Sequence, residues 1–336
     1  MPSSYADMNN EQLRLNAQEG DVEAAFLLGK RLLAVRGSAM EGVEYLKEAA
    51  KKRHLQACEI LGSTFLYGEG GVPQDKRQAM VYYEQAQALG SVTARTRLID
   101  LYLDSEDKAE RGLQLLTDAA DAGDRKAAAR AARLYLTGEV SGVDLERAAK
   151  YALISDDSAV LFETAEKLDL LDTNEALRDE MYQKLLAKDR EGAQLGISAC
   201  LALGELYRRG KGTKADGRSA ERLFLRAIEL EKQQVMSEPK AELMLAELYE
   251  KGAEGLPADH ESARRLLRSA YKSGNELARV RYIELCTADG DFEKGYQAYA
   301  EARQYGDALH YVLTNWEKIP DKARFVERAF PFAPLS

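Results

Sequence analysis

The stretch "FLYGEGGVPQD", residues 65–75, puts three glycines and a proline into a chain that otherwise favours helix. Such a loop either cradles a phosphate or turns a corner between helices. A phosphate loop follows a strand and ends in Gly-Lys-Ser/Thr; here helix-periodic apolar residues precede Gly68, and no such ending follows. The loop also recurs as "YLTGEVSGVD" from Tyr135, "YRRGKGTKAD" from Tyr207 and "YEKGAEGLPAD" from Tyr249. Recurrence identifies a corner of an internal repeat. "GKGTK" at 210–214 comes closest to a phosphate loop and sits at the same repeat position.

Before each corner the sequence carries one helical skeleton: a small residue, a Leu-like residue four on, a small residue five on, usually an aromatic eight on. The first small residues are Ala24, Ala57, Ala94, Ala127, Ala199, Ala241, Ala278 and Ala308, at steps of 33, 37, 33, 72, 42, 37 and 30 residues. The step of 72 spans two units, so a degenerate unit lies between, at about 158–192. It keeps only the stripe Leu177, Met181, Tyr182 and Leu185. The eighth positions (Leu32, Phe65, Tyr102, Tyr135, Tyr207, Tyr249, Cys286 and Trp316) share a face with the first and fifth and are expected in the core. Gly68, Gly138, Gly210 and Gly252 are placed to end that helix in a left-handed conformation. Asp75, Asp144, Asp216 and Asp259 are placed to cap the next. The second helix repeats small, large, large, small at i, i+3, i+4 and i+7, as in Ala79, Tyr82, Tyr83, Ala86 and in Ala220, Leu223, Phe224, Ala227.

These units, seen most fully at 61–90, resemble the Sel-one-like repeat, a relative of the tetratricopeptide repeat, over roughly 20–319. The resemblance implies an all-α, right-handed α-solenoid of antiparallel helix pairs, about eight to nine repeats long. It divides the chain into an N-terminal cap helix over 1–19, a single repeat solenoid over 20–319 and a C-terminal capping tail over 320–336. It also implies a non-enzymatic scaffold or adaptor that binds a protein or peptide on the concave face, which the first helices line. An exported subset of the family carries cysteine pairs in each unit, which this chain lacks.

Bulk properties fit. The 336 residues are 45% hydrophobic and 31% charged, so the chain can fold. A formal net charge of −9 argues against a general nucleic-acid binder. Cys58, Cys200 and Cys286 are too few and scattered for a disulfide framework, which points to a reducing, cytoplasmic compartment. The first residues read as no signal peptide, and no apolar run is long enough to span a membrane. The periplasm is the alternative if an export signal precedes the chain. The histidines are His54, His260 and His310. His54 and Cys58 are four apart, but two ligands do not make a zinc site. No catalytic constellation, cofactor or metal is expected.

Residues one, three and six after each anchor are expected to face the groove. Arg95, Arg97, Arg130 and Arg133 then make a basic middle. Glu205, Glu247 and Glu284 make an acidic wall, with Arg279 and Arg281 beside it. The arginine fork suits a carboxylate-bearing peptide. The tail "RFVERAFPFAPLS" is expected to cover the last helix pair through Phe325, Phe330 and Phe332. Alternative functions are a bacterial immunity or secretion-linked protein that binds a toxin or effector tightly, and an envelope scaffold in exopolysaccharide (alginate-type) export.

Overall fold

At four corners one aspartate does two jobs. In the second repeat, α4 (Leu55–Tyr67) stops at Gly68, where φ is 71° and ψ 36°, a left-handed conformation that suits glycine. Gly138 and Gly210 end their helices in the same way. The chain loops out and returns, and the aspartate's backbone N–H donates to the carbonyl of the aromatic residue that precedes the glycine. This bond is 2.8 Å from Asp75 to Phe65, 2.9 Å from Asp144 to Tyr135, 2.8 Å from Asp216 to Tyr207 and 2.7 Å from Asp259 to Tyr249. The same residue's carboxylate then accepts N–H bonds from the next helix. Asp75 holds Arg77 and Gln78 at 2.9 and 3.0 Å, and Asp216 holds Arg218 and Ser219 at 3.0 and 3.2 Å. The Gln78 amide is the main reason the Asp75 carboxyl lies below its usual range.

The computed structural model describes residues 5, 8–35, 37–234 and 240–329. Among them the chain is helical, with no strand beyond one isolated bridge between Ala253 and Leu256. It divides into two compact units, the first ending at Ser155 and the second starting at Asp156. The first unit holds α1 (Asn10–Gln18), then the pairs α2 (Val22–Leu33) with α3 (Ala39–Lys51), α4 with α5 (Lys76–Ala88), α6 (Val92–Leu103) with α7 (Ala109–Asp121), and α8 (Arg125–Thr137) with α9 (Leu145–Ser155). The second holds α10 (Ser158–Leu170) with α11 (Glu175–Arg190), α12 (Ile197–Arg209) with α13 (Gly217–Lys232), α14 (Lys240–Lys251) with α15 (His260–Lys272), and α16 (Glu276–Ala288) with α17 (Phe292–Glu301). Two further helices, α18 (Tyr305–Asn315) and α19 (Lys322–Ala329), follow. First helices also touch one another directly, α4 with α6, α10 with α12 and α12 with α14. None of the described helices is long and apolar enough to cross a membrane.

The degenerate segment is a full helix pair. Asp157 caps α10 by accepting from Ala159 and Val160, both at 3.0 Å, and the pair buries Leu161, Leu168, Met181, Tyr182 and Leu185. Its turn takes positive φ at Asp172 (49°) and Asn174 (51°), two residue types that tolerate the left-handed region. Glycine is therefore absent here, where the four aspartate-capped corners show it.

All eight anchor alanines are buried. Glycine stands at the fifth position in three repeats because their two helices approach closely. A Cβ on Gly62 would stand 2.6 Å from Tyr83 Cε1, one on Gly29 would stand 2.8 Å from Leu46 Cγ, and one on Gly204 would enter the Phe224 ring. Tyr83, Leu46 and Phe224 all lie on second helices and fill the space the missing side chains leave. At the chain's ends, Leu13 of α1 is fully buried. Phe325 of α19 is buried edge-on to Tyr296 with ring centroids 6.1 Å apart, and Arg328 pairs with Glu293 at 3.1 Å. Phe330 and Phe332 lie outside the described residues.

Replacing Gly204 with Ala should destabilise the second unit by about 1–3 kcal/mol through overlap with Phe224. The double variant Gly204→Ala/Phe224→Leu should lose less than the two single losses added together. Urea unfolding measures all three, and strict additivity would show that the two sites are not in steric contact.

Candidate interaction surface

The positions after each anchor separate by helical rotation, 100° per residue. Residues three and six on point away from the repeat's own second helix. The residue one on lies between positions four and five on, and so faces that second helix. Cys58 contacts Gln85 of α5 at 3.8 Å, and Glu242 accepts from Ser269 of α15 at 3.1 Å. Arg279 is only 5% exposed; it bonds Gln304 at 2.5 Å, pairs with Glu276 and lies over the Tyr299 ring of α17 at 5.6 Å. The groove expected for Arg279 is therefore corrected: it packs inside its own repeat. Arg95 occupies the same position in α6 and is half-buried.

In the first unit, Arg97 on α6 and Arg130 and Arg133 on α8 are exposed on the first-helix face. Arg130 pairs with Asp100 of α6. Arg97 has no carboxylate within ion-pair distance among the described residues. Its charge reaches Tyr83, where burial dominates and pushes the phenol up to about 12.

In the second unit the expected acidic wall is an ion-pair network across α10, α12, α14 and α16. Glu205 is buried between Arg208 at 2.7 Å and Arg209 at 2.8 Å. Arg209 also reaches Glu166 of α10 at 2.6 Å, and Lys211 bridges Glu166 at 2.8 Å and Asp169 at 2.6 Å. Arg208 extends toward Glu247 of α14 at 3.8 Å. Arg281 of α16 stands 3.8 Å from Glu247 and 2.8 Å from Glu250, while Lys251 binds Glu247 at 2.9 Å. Glu284 alone of the three expected acids is exposed without an ion pair among the described residues. The Glu205 clamp is visible as i, i+3 and i, i+4 spacing to Arg208 and Arg209. Glu166 and Lys211, far apart in sequence, carry no such local signal.

The titratable groups with chemical potential serve structure. His54 caps α4 by accepting the Ala57 N–H at 3.2 Å and stacks on Phe26 with centroids 4.3 Å apart. His260 is exposed and lies 2.6 Å from Asp289, whose hydrogen bond raises its pKa. All three cysteines are free and buried, and burial pushes the Cys286 thiol up to about 11. A recess of about 720 Å³ lies against the N-terminal turns of α10 and α12 and the end of α13. Of its carboxylates, Asp157 caps α10, Glu231 accepts the Ala241 N–H at 3.2 Å, and Asp156 pairs with Lys188 at 3.1 Å.

Burial alone would raise the Glu166 carboxyl, but Lys211 and Arg209 outweigh it and hold it below its usual value. Lys211 does the same to Asp169, and Lys251 to Glu247. Depressed folded-state values mean stabilisation that is complete above the unfolded carboxyl values, about pH 4, and lost as pH falls through the folded ones. Lys211→Gln should therefore be less stable than the parent chain from about pH 5 to 7, with the gap closing below about pH 4. Denaturant unfolding at stepped pH reads this directly; a gap that persists unchanged at about pH 3 would remove the electrostatic explanation.

Comparison with known proteins follows the same geometry. The Sel1 repeat family matches residues 22–54, 55–91, 125–155, 197–231 and 239–275, more than half of the chain. A Sel1 repeat protein from Oxalobacter formigenes is 21% identical over 90% of this chain and 89% of that one, with a TM-score of 0.67, a likeness of fold. A protective antigen present in uropathogenic Escherichia coli strains, displaying an SLR fold, is 20% identical over 96% of this chain and 79% of its own, with a TM-score of 0.47. No curated protein matches the sequence. Sel1 repeats generally mediate binding between proteins. With corners, caps and helix pairs recurring at the matched residues, the chain belongs to the Sel1 repeat family.

Proposed function

We propose that this chain is a non-enzymatic interaction scaffold that binds a carboxylate-bearing segment of a partner protein on the first-helix face of its first unit. The observation that supports it is Arg97: an exposed guanidinium without a carboxylate beside it, next to Arg130, which has only the exposed Asp100 to share. An exposed pair of that kind contributes about 0–1 kcal/mol to stability, so it is easily exchanged for a ligand carboxylate held bidentately. In the second unit most cations on this face are already paired, which leaves the first unit the better anion receiver. Three buried free thiols suit the cytoplasm as the place of action.

Affinity capture from the native host, with Arg97→Glu/Arg130→Glu beside the parent chain, tests this. Capture of one abundant protein should fall at least about tenfold in the variant, with helical circular dichroism unchanged. Equal capture by both chains would move binding off this face, and loss of helicity would show that the arginines hold the fold.

A further inference from the structure

Among the described residues the last first-helix, α18, is not paired with the helix that follows it, because α19 packs on α17 instead. In the seven other repeats with a recognised anchor, the residue five on faces the repeat's own second helix and is buried, even where it is as large as Ile99 (4% exposed) or Ile283 (5%). The residue one on is buried or half-buried in those same repeats. In α18 the two equivalents are Leu309 and Leu313, which are 53% and 66% exposed. Tyr305 extends the stripe at i, i+4, i+8 and is also exposed. The helix that follows does not cover this face: α19 lies on α17, through Phe325 on Tyr296 and Arg328 on Glu293.

The filled positions show what fits there. Each is occupied by a neighbouring helix, and in α3, α5, α7, α13 and α15 that helix has small residues at i and i+7 and large ones at i+3 and i+4. In α13 these are Ala220, Leu223, Phe224 and Ala227, all buried. We propose that the open face of α18 is a docking site for an amphipathic α-helix of a partner protein. That helix runs antiparallel to α18 and presents the same small–large–large–small stripe. It completes the final repeat from outside and uses the packing that five earlier repeats make within the chain. This site is separate from the arginines of the first unit and does not depend on them.

The probe is a fluorescein-labelled synthetic peptide with the sequence of residues 217–232, titrated with the full chain by fluorescence anisotropy. Saturable binding is expected, weakened at least about tenfold by Leu309→Glu/Leu313→Glu and by Leu223→Glu/Phe224→Glu in the peptide. Both leucines are exposed, so the protein variant should keep its melting temperature. Arg97→Glu/Arg130→Glu should bind the peptide like the parent, which separates failure of this proposal from failure of the groove. No saturable binding, or equal binding by the leucine variant, overturns the proposal. So does a parent dimer in sedimentation that Leu309→Glu/Leu313→Glu dissociates, because the occupant is then a second copy. A chain lacking 330–336 that binds at least tenfold better assigns the face to the chain's own terminus and overturns it equally.

Discussion

The hydrogen bond from a capping aspartate's backbone N–H to the carbonyl of the preceding aromatic residue is the constraint on which four of the helix pairs rest. It is one bond, worth about 1 kcal/mol net. Its geometric effect is larger. The aromatic residue is fixed in the core, the glycine is forced left-handed, and the next helix starts where its apolar stripe meets the one just finished. The same aspartate satisfies the new helix's free N–H groups. A helix pair built this way cannot bury its apolar face alone, so each corner also commits the chain to another pair beside it.

Close approach is the second condition, and it explains which residues may vary. Glycine at positions 29, 62 and 204 admits Leu46, Tyr83 and Phe224 of the paired helix. On the opposite side of the first helices nothing comparable presses, and polar residues collect there. In the second unit they neutralise one another across several repeats. A half-buried network of this kind adds modest stability, since desolvation of each charge offsets much of the attraction. Its larger effect is on recognition: paired charges offer little to a ligand, so the few unpaired ones define where an ion could bind.

Most of the fold was legible because its signals are local. Aromatic, glycine and aspartate fall within one loop, and the stripes repeat within one helix. Three things escaped for physical reasons. The turn of the degenerate pair uses Asp172 and Asn174 in the left-handed region, so the glycine landmark is absent although the turn is present. Arg279 was placed in the groove by treating the residue next to the anchor as free to vary. A rotation of 100° brings it beside position five, against the second helix, where Tyr299 and Gln304 receive it. The pairing of the acidic residues was only partly legible, for a third reason. Glu205's clamp is within one turn and could be read, but the bonds from Lys211 and Arg209 to Glu166 join helices whose packing no local pattern specifies.

The ends of the array are unequal, and this follows from how repeats share surfaces. At the start, α1 lies on α2 and seals Leu13 completely, so the first repeat begins with both helices covered. At the other end, α19 continues the row of second helices by packing on α17, while α18 keeps its second-helix face open. Leucines stand at two positions whose equivalents elsewhere are buried or half-buried, and exposed leucine confers no solubility. A surface that needed only to end would carry charge there, as α19 does with Arg328, which pairs with Glu293 of α17. The asymmetry is that of a fold closed on one side and prepared for one more helix on the other.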